Sequence, residues 1–260
     1  MEQGSDATAI VRRANQVWCE QLTEQEALDF GVAFTCPDHP SLAAGNQLRE
    51  VVLGLSAESN AAYDQVESYY ASRGLRCTRW TPAADQPPEP LGTLLTPRGF
   101  SEHRTRAMLL TRWVKMTPLS SVRIVPARAM RRALDAVFAD GGNDPNTEPA
   151  VYVAATHERI DDPALDLFVA LLDGEPVGVM DLLQVGEIGC VKTAFTHASV
   201  RGRGVGTALL AHVLQLAQRL ALRHICVEVE ATDEPVEAFF QRAGFEVGGE
   251  LVAFARTKPT

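Results

Sequence analysis

The run Arg201-Gly202-Arg203-Gly204-Val205-Gly206 narrows what this chain can fold into more than any other stretch, because of what flanks it. Before it lies a strand-like run, Ile188 to Thr196, and after it a strongly periodic segment, Thr207 to Leu222, that reads as a helix. A loop turning into a helix N-terminus presents backbone N–H groups without intrahelical acceptors, together with the positive end of the helix dipole. Glycine lets an anion approach those groups, so strand, loop and helix together read as a phosphate cradle. Two other cradles do not fit. A Gly-x-Gly-x-x-Gly fingerprint counted from Gly202 needs glycine where Thr207 stands, and a Gly-Lys-Ser/Thr step is absent from the chain.

With 260 residues, 46% of them hydrophobic, the chain is long enough for one large domain or two small ones with an ordinary core. Met1 to Asp6 is polar and acidic, without the basic and apolar regions of a leader, and no apolar run approaches the roughly 20 residues of a membrane span. A soluble, cytoplasmic protein is therefore expected. Cys19, Cys36, Cys77, Cys190 and Cys226 are odd in number and scattered, which argues against a disulfide framework or a zinc site. A net charge of −9 argues against a nucleic-acid partner and favours an amine as substrate.

Hydrophobic periodicity is lost over Trp113 to Ser121 and restarts at Val122-Arg123-Ile124-Val125, which places a domain boundary between residues 116 and 117. The halves rhyme across it. Leu94 to Phe100 in the first and Phe239 to Phe245 in the second both read as a short helix ending at a glycine and entering a strand. The first half further predicts a helix over Asn60 to Arg73, a strand at Leu75 to Thr81 and a strand near Ser101 to Leu110, with no glycine-rich phosphate loop. In the second half, a strand at Ser121 to Val125 precedes a helix over Ala127 to Ala139, a loop over Gly141 to Pro149 and a helical stretch to about His157. Asp166 to Leu172 and Val177 to Leu183 read as a hairpin closed at Asp173-Gly174, and His224 to Glu230 as a buried parallel strand.

Arg201, Gly204 and Gly206, as Arg-x-x-Gly-x-Gly, resemble the pyrophosphate-binding signature of the GCN5-related N-acetyltransferases (GNAT), which hold acetyl-CoA in this way. Val227-Glu228-Val229, Asp233 and Phe240 extend the resemblance, standing where the family has Leu-Glu-Val, Asn and Tyr, and it is specific over about Val177 to Phe245. It implies an α/β fold: a mixed, mostly antiparallel sheet flanked by helices with a splayed central pair of parallel strands, preceded by a partial, degenerate copy in residues 1 to 116.

The resemblance also implies roles. The backbone of Phe195, Thr196 and His197 would pair with the pantetheine arm. The amides of Gly202, Arg203, Gly204, Val205, Gly206 and Thr207 would hold the pyrophosphate, with Arg201 orienting the loop. The side chain of Arg203 either touches the 3′-phosphate or faces solvent. Glu228 stands where some relatives have a general base, and burial in an apolar strand would raise its pKa toward a useful value; Glu187, at the start of the cofactor strand, is a second candidate acting through water. Phe240 has no hydroxyl to give the departing thiolate a proton, while Asp233 can still cap the helix that follows. His197 reads as a structural residue and Cys190 as a small buried filler.

The expected activity is acetyl-CoA-dependent acetylation of a primary amine by direct attack in a ternary complex, with no metal. Selectivity would come from Gly141 to Asp162 and the junction with the first half. An acyl-CoA-binding sensor without catalysis and a transferase of longer acyl groups are the other readings, and the sequence is silent between monomer and homodimer.

Overall fold

The structure, a computed structural model, describes residues 2–54, 56–117, 119–138 and 147–256. Most of the loop expected over Gly141 to Pro149 falls outside the described residues. Within each half the strands are β1 (Glu24–Leu28), β2 (Gly31–Thr35), β3 (Gln47–Val51), β4 (Arg79–Pro82) and β5 (Phe100–Leu110), then β6 (Val122–Pro126), β7 (Leu165–Leu172), β8 (Glu175–Val185), β9 (Ile188–Val191), β10 (Ala194–Thr196), β11 (His224–Glu230) and β12 (Phe245–Arg256). The helices are α1 (Glu2–Glu20), α2 (Ser56–Ala71), α3 (Glu89–Leu95), α4 (Arg131–Phe138), α5 (Pro149–Arg159), α6 (Val205–Arg219) and α7 (Glu234–Arg242).

All twelve strands form one sheet in the order β1-β2-β3-β4-β12-β5-β11-β9-β8-β7-β6, with β10 paired to β8 beside that path. It is mixed and mostly antiparallel; β3 with β4 and β9 with β11 are its parallel pairs. The hairpin between β7 and β8 turns where expected, with Asp173 at φ 55° and Gly174 at φ 89°, the two positive values a type I′ turn needs.

The two halves are joined by an exchange of strands. β5, from the first half, lies between β11 and β12, and β12, from the second, lies between β5 and β4. These are the strands that follow the two rhyming segments; Gly99 (φ 82°) and Gly244 (φ 100°) end the preceding helical turns, and the strands then pair antiparallel with each other from Phe245↔Leu110 to Arg256↔Phe100. The repeat visible in the sequence thus forms the centre of the sheet.

Three apolar clusters cover the second half and the junction. On one face, α6 packs Leu209, Leu210, Val213 and Leu214 against Met180, Leu182, Val191, Ile225 and Val227. On the other, α4 and α5 cover Val169, Leu171 and Val179, and α1 lays Ala7, Val11 and Ala14 over Leu183, Cys190, Cys226 and Leu251. The first half has its own core around Trp80, Tyr70, Leu95 and Phe254, the last contributed by β12. β1 to β3 are not legible from periodicity, since the early strands have mixed patterns, whereas α1 carries an apolar stripe at helical spacing, Ala7, Ile10, Val11, Ala14 and Trp18, that sequence reasoning missed. No helix among the described residues is long and apolar enough to cross a membrane.

Candidate active site

The strand expected over Ile188 to Thr196 is broken in two, and the break shapes the site. β9 runs parallel to β11 from Ile188↔His224 to Val191↔Val227. Past Val191 the chain leaves β11, and β10 follows β8 alone, in register Ala194↔Met180 to Thr196↔Gly178. The cause is a buried carboxylate. Oδ1 of Asp181 on β8 accepts the backbone N–H groups of Lys192 (2.7 Å) and Thr193 (3.0 Å), drawing that segment toward β8. Burial pushes the Asp181 carboxyl up to about 6 in spite of those two bonds, and its Oδ2 is buried with no hydrogen-bond partner.

Beyond the break, the Thr193 carbonyl accepts from Asp181 N–H and the His197 N–H donates to the Val177 carbonyl. Antiparallel pairs alternate, so Phe195 also belongs to the bonded set, and the amide groups of Ala194 and Thr196 face the gap toward β11. The expectation for this segment is thereby corrected. Among the three residues singled out, only Thr196 presents its backbone to the gap; the Phe195 ring packs on Phe138, and the His197 ring meets the Val137 carbonyl at 3.0 Å.

The glycine loop turns at the end of this segment. Gly204 caps α6 in the left-handed region (φ 77°), where a side chain would be strained, and a Cβ there would come within 2.7 Å of Leu119. The first bond of the helix runs from Ala208 N–H to the Gly204 carbonyl, which leaves the N–H groups of Val205, Gly206 and Thr207 without helical acceptors. Nε of Arg201 donates to the Thr196 carbonyl at 3.2 Å, tying the loop to β10; Arg201 and Arg203 are exposed, and the Val205 side chain is buried in the core. Phe239, rather than Phe240, faces the loop: a Cβ on Gly206 would lie 3.6 Å from its ring. The loop, the strained cap and the open β10 edge form one continuous polar rim that an extended phosphate-bearing ligand can follow.

Three other predicted positions need correction or placement. Phe240 is 1% exposed and packs between Phe239 and Phe245, so it belongs to the core and lines no ligand site. Asp233 caps α7, its carboxylate accepting the Val236 N–H at 3.1 Å, as its position implied. Glu187 sits at the opposite end of β9 from the break, about 16 Å away by strand rise, exposed and paired with Arg223 at 3.2 Å. From there it has no route to the splayed gap.

Glu228 does reach the break, but not with the character expected of it. It is the first residue of β11 past the last pair with β9, on the face covered by α1. Its carboxylate accepts from Thr105 Oγ1 (2.5 Å) and Asn15 Nδ2 (2.8 Å) and pairs with Lys192 Nζ at 3.5 Å; Lys192 in turn donates to Asn15 Oδ1 at 2.5 Å. Burial works to raise its pKa, yet the charges of Lys192 and Arg79 and the two donated hydrogen bonds outweigh burial and hold it at about 2. Burial works against the Lys192 ammonium too, and the Glu228 charge outweighs it, so the lysine stays charged. The expectation of a raised glutamate fails because the neighbours that reverse it come from α1, β4, β5 and the strand break, none of them adjacent in sequence.

The Lys192 and Glu228 pair opens onto a cavity of about 690 Å³, floored by β3, β4, β12, β5 and β11 and roofed by α1 and α5. Both halves line it. Although the whole chain carries −9, the cavity is cationic, with six arginines and Lys192 facing it against Glu228 and Glu230. Tyr152 stands at its inner end, its hydroxyl 3.5 Å from that of Thr193 beside the break. Lys192, Asp181, Asn15 and Tyr152 are site residues that sequence reasoning missed; the available signal was a lone charge in each of two apolar strands.

Comparison with known proteins is consistent with this geometry. Residues 129–245 match the family model described as Acetyltransferase (GNAT) family. The chain is similar in structure to a conserved protein of unknown function from Staphylococcus epidermidis (TM-score 0.68, 11% identity, 91% of this chain and 95% of that one). It is similar to a GCN5-related N-acetyltransferase from Kribbella flavida (TM-score 0.66, 15% identity, 96% of each chain). A tandem GNAT protein from the clavulanic acid biosynthesis pathway matches over 100% of this chain and 95% of its own (TM-score 0.56, 15% identity). At these identities the likeness is one of fold. A search of the curated proteins finds no match.

Proposed function

We infer that this chain, which carries a domain of the GNAT acetyltransferase family and the fold of a tandem GNAT protein, transfers an acetyl group from acetyl-CoA to a primary amine. The observation that carries the reading is the continuity of three features: the open β10 edge, the strained glycine cap of α6, and a cavity meeting them at the strand break.

In this reading the N–H groups of Val205, Gly206 and Thr207 hold the pyrophosphate, with Gly202 and Arg203 completing the loop and Arg201 fastening it to β10. The Ala194 and Thr196 amides align the pantetheine arm so that the thioester lies in the gap between β10 and β11. The amine enters from the α1 side. Its nitrogen attacks the thioester carbonyl carbon, a C–N bond forms, the C–S bond breaks, and the thiolate leaves. Holding both reactants at the break supplies much of the acceleration.

Glu228 stands at that break as a permanent anion. With a pKa of about 2 it is a weak base, so its part is to hold Lys192 and orient the ammonium, and the proton leaves to solvent before attack. Departure of the thiolate proceeds without Phe240, which is sealed in the core.

The test is release of free thiol from acetyl-CoA over a panel of amines. Release that requires an added amine, and is lost on Gly204→Glu, supports transfer at this site. Acetyl-CoA binding with no release for any amine would instead support the sensor reading, which the buried Phe240 and the ion-paired Glu228 also accommodate.

A further inference from the structure

The cavity beyond the strand break holds more positive charge than the protein neutralises. Arg12 is paired with Glu50 (3.5 Å), Arg256 with Glu67 (2.6 Å), Lys192 with Glu228 (3.5 Å) and His103 with Glu230 (2.9 Å). Of the other four arginines lining the cavity, Arg49, Arg76, Arg79 and Arg159, none has a carboxylate within 4.0 Å among the described residues; Arg76 is exposed to solvent. Two of them are buried, Arg49 at 7% and Arg159 at 3% exposure.

Arg159 is the most telling. Its guanidinium lies 4.0 Å over the Trp18 ring, one nitrogen reaches the Trp18 carbonyl at 3.4 Å, and its Nε is buried with no hydrogen-bond partner. Arg49 has only the Gln47 amide oxygen at 3.3 Å and the Cys19 sulfur at 4.0 Å. A buried guanidinium without a counterion costs several kcal/mol, and an unmet donor adds to that. Two such groups, Arg49 on the cavity floor and Arg159 on its roof, with Arg79 on β4 beside β3, amount to a built receptor for an anion. The guanidinium fork matches a carboxylate or phosphate in a bidentate way, and stacking on Trp18 fixes the plane of one fork.

We propose that the acceptor is an amine that also carries an oxyanion, a carboxylate or phosphate, seated on Arg49, Arg79 and Arg159 so that its amino group reaches Glu228 at the break. This rests on the acetyl-transfer reading and names the class of its second substrate. It reverses what the net charge of the chain suggests: the acidic exterior is no guide to a cavity whose own field is positive. The carboxylate of Glu228 then receives the ammonium end and the arginines the anionic end, which orients an acceptor with charges of both signs.

The test separates this proposal from the reading beneath it by measuring binding without turnover. Into protein saturated with CoA, which carries no acetyl group, one titrates glutamate, aminoethyl phosphate, ethanolamine and 1,4-diaminobutane by calorimetry. Tighter binding of glutamate or aminoethyl phosphate than of the two amines without an oxyanion, by about tenfold or more, is expected, and which of the two binds better identifies the anion. Arg79→Gln, at a partly exposed position, is expected to remove that preference and leave acetyl-CoA affinity as it was. Arg159→Gln is expected to do the same if it folds. Equal or tighter binding of ethanolamine or 1,4-diaminobutane, or anion binding indifferent to Arg79→Gln, overturns the proposal. Failure of the wild type to bind acetyl-CoA would overturn the transfer reading instead, while the amine titrations, repeated without CoA, still decide the anion preference.

Discussion

Glu228 shows how far a side chain's chemistry can depart from its place in a motif. As a glutamate in an apolar strand it resembles a base with a raised pKa; in the folded chain Lys192, Arg79, Thr105 and Asn15 hold it at about 2. Because the folded pKa lies below the ordinary 4.5, its contribution to stability is present above about pH 4.5 and is lost as pH falls toward 2. Glu228→Gln, which leaves the buried Lys192 unpaired, is expected to destabilise by about 3 kcal/mol at pH 7 in denaturant titrations. The gap between variant and wild type should close between pH 5 and 2. Asp181 runs the opposite way. With its carboxyl raised to about 6, its penalty is absent below about pH 4 and is felt as pH rises through 6, so Asp181→Asn is expected to flatten the fall in stability across that window. Neither residue's behaviour is legible in sequence, since each depends on partners 11 to 213 positions away.

At the scale of elements, the sequence was most readable where a local device decides the structure. The Asp173-Gly174 turn, the glycine-capped repeats before β5 and β12, and the glycine loop opening α6 are all where their residues place them, because positive φ at a turn or cap is a property of a few adjacent residues. The break between β9 and β10 was not readable, since it depends on a carboxylate one strand away capturing two amides. That break can be tested through Gly178, where a Cβ would come within 2.8 Å of the Phe195 carbonyl. Gly178→Ala is expected to push β10 off β8, narrowing the gap toward β11. Acetyl-CoA affinity should fall about tenfold or more while the far end of the sheet keeps its amide protection, and unchanged affinity would show that β10 does not position the cofactor.

Across the whole molecule, the exchange of β5 and β12 decides what counts as a folding unit. The sequence rhymes across residues 116 and 117, yet in the sheet β5 lies between two strands from after that point and β12 between two from before it. We propose that these halves behave as one cooperative unit. Residues 117–260 produced alone lack β4 and β5, which leaves β11 with an unpaired edge and β12 with no partner strand, so that piece is expected to be unfolded or to aggregate, whereas the full chain unfolds in a single transition. Co-expression of the two pieces should restore it. A well-folded, monomeric piece would show that the strand exchange is dispensable. The same exchange builds the cavity floor from both halves.

Calorimetric titration of acetyl-CoA decides whether the cofactor binds along the β10 edge with its pyrophosphate on the N-terminus of α6, as we propose. The wild type is expected to bind one equivalent, and the Gly204→Glu, Gly206→Glu double variant, with two carboxylates and their bulk in the cradle, to show no binding while keeping the wild-type circular dichroism spectrum. A folded wild type that binds no acetyl-CoA, or a folded variant that binds it with wild-type affinity, would contradict the account.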